Sequence, residues 1–419
     1  MYSQKTHHLA DEDRQRETRR PVSLRQVALA CVGRLLFADP DRKPVGAEEA
    51  YLFNQYHTLR DTTDLGGLVS RLLTSSAPSD QSIVRVAKCL SLGHVELMTL
   101  VLALRVEEEP LVGRVLAHIQ APLGGSRPTL GLLEAALALF SRDEEWLTGA
   151  ILTGPALASG ALQLVNLQAP LPEQVVKIPL GLALLLRSQR LVWPGCADIG
   201  KDESLRLPRS TEEKSARQAD ALSRVDHSVL VIRSASKGEA RAVAVEVAAR
   251  LHRQALLITG AGDLSGLGVA CEIDGRLPVF EAEPGAEGGS EVPELPGYQG
   301  PRLMLTGPEG QVKTNRGSVL HWDLTPPCRE EREQLWRGYL HQDELARQLA
   351  REHIHSSGRI AELALLAERE ARLDQRECPD MVDIRRAAWE AESGLLNGLA
   401  QPIPAEIPDE ALVLPGSVK

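Results

Sequence analysis

The segment Arg233-Ser-Ala-Ser-Lys-Gly-Glu-Ala240 lies between a continuous apolar run, Ser228–Arg233, and a helix-patterned stretch, Glu239–Arg253. A strand, a loop and a helix in that order is where a phosphate-cradling loop belongs. Such a loop reads Gly-x-x-x-x-Gly-Lys-[Ser/Thr]. Its glycines let backbone N–H groups wrap the phosphates, its Lys neutralises their oxygens, and its hydroxyl holds magnesium. Here only Gly238 matches: Arg233 stands at the first Gly, Glu239 at the Lys and Ala240 at the hydroxyl. A Glu in that place sets a carboxylate against a phosphate, and Ala cannot ligate a metal. Lys237 falls just before Gly238, within reach of a phosphate, and the helix N-terminus keeps its dipole. The preferred reading is a loop that joins a strand to its covering helix, with weak nucleotide binding as the alternative.

Hydrolysis of a bound nucleotide also needs adjacent acids at the end of the third strand, one for magnesium and one for the attacking water. The candidates, Glu281 and Glu283, are split by Ala282 and read as solvated loop charge. His353-Ile-His355 is an H-x-H pair with no third ligand nearby, and it reads as a helix end. Ser318, His321 and Asp323 sit on or beside one strand, but alternation separates Ser318 from the other two. His7-His8 reads as part of a solvated tail. The six cysteines are scattered without a CxxC pair and read as free thiols. No catalytic residue and no metal site are expected.

The elements that position these residues fall into groups. Helical spacing runs through 24–36, 47–59, 65–73, 83–90, 92–104, 110–119 and 130–138. Two short strands follow at 162–167 and 175–178, then a compact helix at 179–186. Helices followed by a two-stranded element suggest a winged helix. Residues 191–226 are polar and broken by Pro and Gly, which reads as a linker. Buried-strand patterns follow at 228–233, 255–259, 277–281, 302–306 and 319–323. The third contains Pro278, which fits a strand start or an edge. Pro284 to Gly300 reads as a flexible loop where a helix is usual. Four helices are expected at 330–340, 342–353, 359–373 and 380–399. The division is a disordered tail (1–20), a helical domain with the winged helix (21–190), the linker (191–226), an α/β domain (227–328), a helical domain (329–400) and a C-terminal linker (401–419).

At 419 residues the chain exceeds one ordinary domain. Its 43% hydrophobic and 25% charged residues exclude wholesale disorder. With 3% aromatics, the cores must rest on Leu, Ala, Val and Ile. A net charge of −10 argues against broad attraction to nucleic acid. No apolar run reaches the ~18 residues of a membrane span, and the N-terminus lacks the apolar stretch of a secretory signal, so a cytoplasmic protein is expected.

The order of elements resembles that of AAA-family ATPases: a strand, a degenerate P-loop, a helix, four more strands and a four-helix lid. Asp323-Leu-Thr-Pro-Pro-Cys-Arg-Glu-Glu-Arg-Glu-Gln-Leu-Trp336 resembles the family's exit from the fifth strand. His355-Ser-Ser-Gly-Arg-Ile-Ala-Glu-Leu-Ala364 resembles the lid helix that carries the sensor-two Arg, matched here by Arg359. Leu90–Leu104, Leu116-Ala-His-Ile-Gln120 and Arg127-Pro-Thr-Leu130 resemble the winged-helix-containing region ahead of the ATPase modules in one bacterial subgroup. That subgroup often accompanies contractile injection gene clusters and carries a degenerate first module before a competent second one. The resemblance covers roughly residues 45–419. It implies an α+β N-terminal half, then an α/β P-loop-like domain with a helical lid. It implies a vestigial nucleotide site at Ser236, Lys237, Gly238 and Arg359, with no cofactor expected and ATP with magnesium only if binding is retained. The implied partners are proteins, among them a competent AAA ring, and the family's rings make an oligomer compatible with the reading. DNA binding through the winged helix is the alternative. It is disfavoured because Lys177 is the one base in the wing segment, set against Glu173.

Overall fold

The computed structural model describes residues 22–122, 125–140, 147–187, 190–202, 205–260, 262–282, 290–309, 311–315 and 317–396. The expected tail with His7-His8, Glu283 and the C-terminal linker lie outside the described residues.

The N-terminal half is helical: α1 (Leu24–Phe37), α2 (Gly46–His57), α3 (Leu65–Thr74), α4 (Gln81–Leu90), α5 (His94–Glu108), α6 (Pro110–Ile119), α7 (Leu130–Leu137), α8 (Leu147–Thr153) and α9 (Pro155–Ala158). Every residue from Val95 to Leu104 of α5 is buried. A helix apolar on all sides must be wrapped by others, so α5 is the axis of this half. Glu96, also buried, receives the N–H of Gly93 at 3.2 Å and that of Ala156 at 3.0 Å. One carboxylate thereby caps α5 and ties α9 to it. Asp80 receives the Leu24 N–H at 2.7 Å and the Arg25 guanidinium at 2.5 Å, which fixes the start of α1. The strands β1 (Gln163–Val165) and β2 (Val175–Lys177) pair antiparallel, and α10 (Leu180–Leu186) follows.

Residues 191–226, expected as a linker, carry two elements of the α/β body: β3 (Cys196–Asp198) and α11 (Arg209–Ser223). Both are nearly invisible to patterning. The strand is three residues long, and the helix buries only Ser215, Ala219 and Leu222. Then come β4 (Val229–Arg233), α12 (Lys237–Arg250), β5 (Gln254–Ile258), α13 (Leu267–Ile273), β6 (Arg276–Glu281), β7 (Ser290–Glu291), β8 (Arg302–Thr306), β9 (Val312–Lys313) and β10 (Val319–Asp323). The main sheet has the order β10-β4-β8-β6-β5-β3, parallel except for β3. β6 is thus a central strand, against the expectation that Pro278 marks a start or edge. The proline is accommodated because pairing to β8 begins at Val279, so its missing N–H removes no bond of that ladder. In the stretch read as a flexible loop, β7 pairs parallel with β9, and Val292, Leu295 and Tyr298 are buried.

Alternation divides the sheet between two cores. Leu230, Ile232, Leu257, Val279, Leu303 and Leu305 face α11 and α12. Val229, Val231, Leu256, Ile258, Phe280 and Met304 face the other way, into one continuous core with the entire N-terminal half. The two halves meet backbone to backbone. A Cβ on Gly160 would lie 2.7 Å from the Gly266 nitrogen, and both glycines have positive φ, +72° and +80°. The Trp193 indole N–H donates to the Asp263 carbonyl at 3.1 Å across the same seam.

The C-terminal helices, α14 (Arg329–Leu340), α15 (Asp343–Glu352), α16 (Ser357–Leu373) and α17 (Met381–Leu396), close around a third core of their own, centred on Trp336, Leu349, Ile360 and Leu363. Among the described residues, no helix is long and apolar enough to cross a membrane.

Candidate functional site

Parallel strands deliver their carboxyl ends to one edge of the sheet, and the crevice outside those ends is where α/β folds hold ligands. A cleft of about 1190 Å³ opens there. Its floor is the β4–α12 loop, Arg233 to Glu239; Asp323 and Leu324 at the exit of β10 form one wall, and α14 and α16 form the other. Ser236, Lys237, Gly238 and Arg359, far apart in sequence, all line this cleft.

Their roles differ. Ser236 is the N-cap of α12, its hydroxyl oxygen receiving the Glu239 N–H at 3.3 Å. Lys237 is exposed. Gly238 sits within the first helical turn, where an added Cβ would meet only the Leu205 side chain at 3.7 Å and the Ser236 hydroxyl at 3.9 Å. No close approach or left-handed backbone demands a glycine there. Arg359 pairs with Glu362 at 2.9 Å. Arg233 pairs with Asp323 at 3.3 Å.

Glu239, placed by the sequence against a bound phosphate, has a different position. It is 4% exposed and bridges two elements. One oxygen receives the Ser234 hydroxyl at 2.9 Å. The other receives the Ser357 backbone N–H at 3.1 Å and the Ser357 hydroxyl as well. The carboxylate therefore sits between the N-terminus of its own helix α12 and that of α16, and takes the Ser357 N–H that an anion would otherwise receive. Gly358 lets the helices close: a Cβ there would lie 2.2 Å from the Ser236 hydroxyl oxygen and 3.0 Å from the Glu239 Cβ. The loop and α16 are in direct contact where a phosphate would need room.

The residues do not fit a magnesium nucleotide of the usual kind. The Lys position is a buried carboxylate, the hydroxyl position is Ala240, and Glu281 is engaged by the Arg241 guanidinium at 2.5 Å. That bond raises the Arg241 pKa. The remaining cations of the cleft are spread along its length. Arg206 lies over the Tyr339 ring at 5.7 Å, and its guanidinium rests against the bare backbone of Gly338. Burial pushes the Tyr339 hydroxyl up, partly offset by the Arg206 N–H it accepts at 2.7 Å. The His353 and His355 rings stack at 5.2 Å. Among the described residues, no three His, Cys, Asp or Glu side chains converge as a metal site. All six cysteines are free, and burial pushes Cys31 up to about 12 and Cys196 up to about 11.

Sequence reasoning missed Ser234, Ser357, Arg206 and Tyr339. The doublet Ser356-Ser357 before a Gly is a helix-start signal, which hints at donors, but nothing in the sequence says which acid they meet.

Fold and cleft together define a parallel α/β protein with a fused helical half and a helical cap. No family model matches the chain, and no curated protein matches it. Among solved structures, a mutant of RuvB from Thermotoga maritima is similar at 14% identity and a TM-score of 0.28, over 48% of this chain and 71% of that chain.

Proposed function

We propose that this chain is an AAA-related scaffold whose nucleotide position is filled by its own carboxylate, working through protein contact or as the N-terminal part of a larger AAA ATPase. The observation that carries this reading is Glu239, buried between Ser234 and Ser357 at the place where a working loop presents its Lys. A phosphate entering there meets a fixed negative charge and finds the N–H groups of Ser236, Glu239 and Ser357 already taken. The cap is then held by the protein's own bonds, and its position does not depend on a nucleotide. The partners in this reading are proteins, with a competent AAA ring first among them, and the setting is the cytoplasm, in connection with contractile injection systems.

Titration calorimetry with Mg-ATP tests the reading. The expected result is no binding heat at millimolar nucleotide, no rise in melting temperature and no phosphate release. Binding well below millimolar, or measurable phosphate release, overturns it. The intact mass of the native protein from its own cells separates a free-standing scaffold from the front part of a longer ATPase.

The alternative, a winged helix that reads DNA, draws on the β1–β2 hairpin that follows α9. Its surface mixes exposed apolar residues, Val165, Leu167 and Leu171, with neutral polar ones, Asn166 and Gln168, and offers no exposed base for phosphates. Salt-dependent retention on a DNA column would restore the DNA reading.

A further inference from the structure

At the amino ends of β4 and β8, across the sheet from the cleft, lies a smaller pocket of about 250 Å³. It is lined by Arg302, His227, Gln299, Glu294 and the 295–298 turn. Arg302 is 4% exposed. Its guanidinium carries five donors. One nitrogen, Nη1, donates to the Pro293 carbonyl at 3.0 Å. No carboxylate among the described residues forms an ion pair with it; the Glu294 charge acts on it only from a distance. Burial lowers the Arg302 pKa, and the Glu294 charge offsets this in part. An arginine stays protonated even so, so the fold keeps a desolvated cation without a bonded counter-charge. Such an arrangement is costly unless something of opposite charge meets it.

The walls are rigid. His227 has a left-handed backbone, φ 56°, and its N–H donates to the Gln299 carbonyl at 3.1 Å. Gly317 packs so closely that a Cβ would sit 2.0 Å from the His227 carbonyl oxygen. Gly297, φ +80°, rests against Val269 and against Ser159 of the helical half. A pocket built this way is preorganised, and a ligand pays little ordering entropy to enter it.

We propose that this pocket binds a small oxyanion, the phosphate or carboxylate group of a small molecule, with Arg302 as its charged anchor and His227 and Gln299 as further polar contacts. The site is independent of the cleft at the other end of the sheet and of the function proposed for it. Glu294, exposed at the lip, opposes an anion and sets the affinity.

Calorimetry and thermal shift with inorganic phosphate, sulfate and acetate test this on the full chain. Wild type is expected to bind at least one of them, with a rise in melting temperature. Preference for phosphate or sulfate assigns a phosphate-type ligand, and preference for acetate a carboxylate. Glu294→Gln is an exposed, conservative change that leaves the fold alone, and it should tighten binding about fivefold by removing a like charge. Arg302→Met should weaken it roughly tenfold or more. Lys237→Ala, in the cleft, should leave it unchanged. Absence of binding in both wild type and Glu294→Gln sinks the proposal. So does binding that survives Arg302→Met but is lost in Lys237→Ala, because the anion would then sit in the cleft.

Discussion

The α/β body is joined to its two neighbours in different ways. Toward the helical half it offers a sheet face, and the apolar core runs through the join without a break. Toward the C-terminal helices it offers loops and a helix start, and the link is polar: Glu239 to Ser357, Arg206 to Tyr339 and Ser210 to Glu331, with the third core standing apart on its own side. An apolar seam is non-directional and large, so the two sides are expected to unfold as one unit. A polar latch holds a geometry while adding only a few hydrogen bonds, so it is the joint that can open. If the cap moves relative to the sheet, it moves about Glu239 and Gly358.

The largest expected effect is at the apolar seam. Gly160→Val places a branched side chain where a single Cβ already lies 2.7 Å from the Gly266 nitrogen, on a backbone with φ +72°. We expect a loss of ~3 kcal/mol or more, read as a shift in the urea midpoint that moves the helical half and the sheet together. Separate transitions for the two would break the picture of one core.

The latch comes next. Glu239→Ala leaves the Ser357 N–H buried without its acceptor, and should cost about 2 kcal/mol. The loss should appear as earlier hydrogen exchange in α14 to α17, with the sheet unaffected. Uniform loss of protection through the sheet would mean that the cap is not a separable unit.

Within the cap, Asp383 is held below the ordinary carboxylate range, first by the Arg376 fork at 2.8 and 2.5 Å, against the opposing effect of burial. A depressed carboxylate contributes stability that is present above its unfolded value of about 3.9 and is lost as pH falls through the lower native value. Wild type should therefore exceed Asp383→Asn in stability at neutral pH. The difference should vanish in strong acid, measured by thermal unfolding across pH 7 to 2 as a scan of about five pH units. A constant difference over that scan would remove Arg376 as its cause.

The smallest effect is at the glycine that matches a phosphate loop. Gly238→Ala adds a Cβ into ordinary contact distance in the first turn of a helix. It should be neutral or stabilise by ~0.5 kcal/mol through the unfolded chain. Marked destabilisation would show that the loop still needs glycine geometry.

Element positions were largely legible. Strands 302–306 and 319–323 and helix 110–119 fall where their apolar patterns put them, because burial on both faces of a parallel sheet or one face of a helix leaves a period in the sequence. β3 and α11 were not legible, since an edge strand of three residues and a helix with one narrow buried stripe leave almost no period. The departures from a phosphate loop at Arg233, Glu239 and Ala240 could also be read directly, because they are matters of residue type. What Glu239 does instead could not be read. Its partners are 5 and 118 residues away, and only the folding of α16 back onto the β4–α12 loop brings Ser357 to it. The environment of Arg302 is the same kind of fact. Residue identity fixes which charges the chain carries, whereas the burial of Arg302 without a carboxylate bonded to it among the described residues arises only when strands distant in sequence share one sheet.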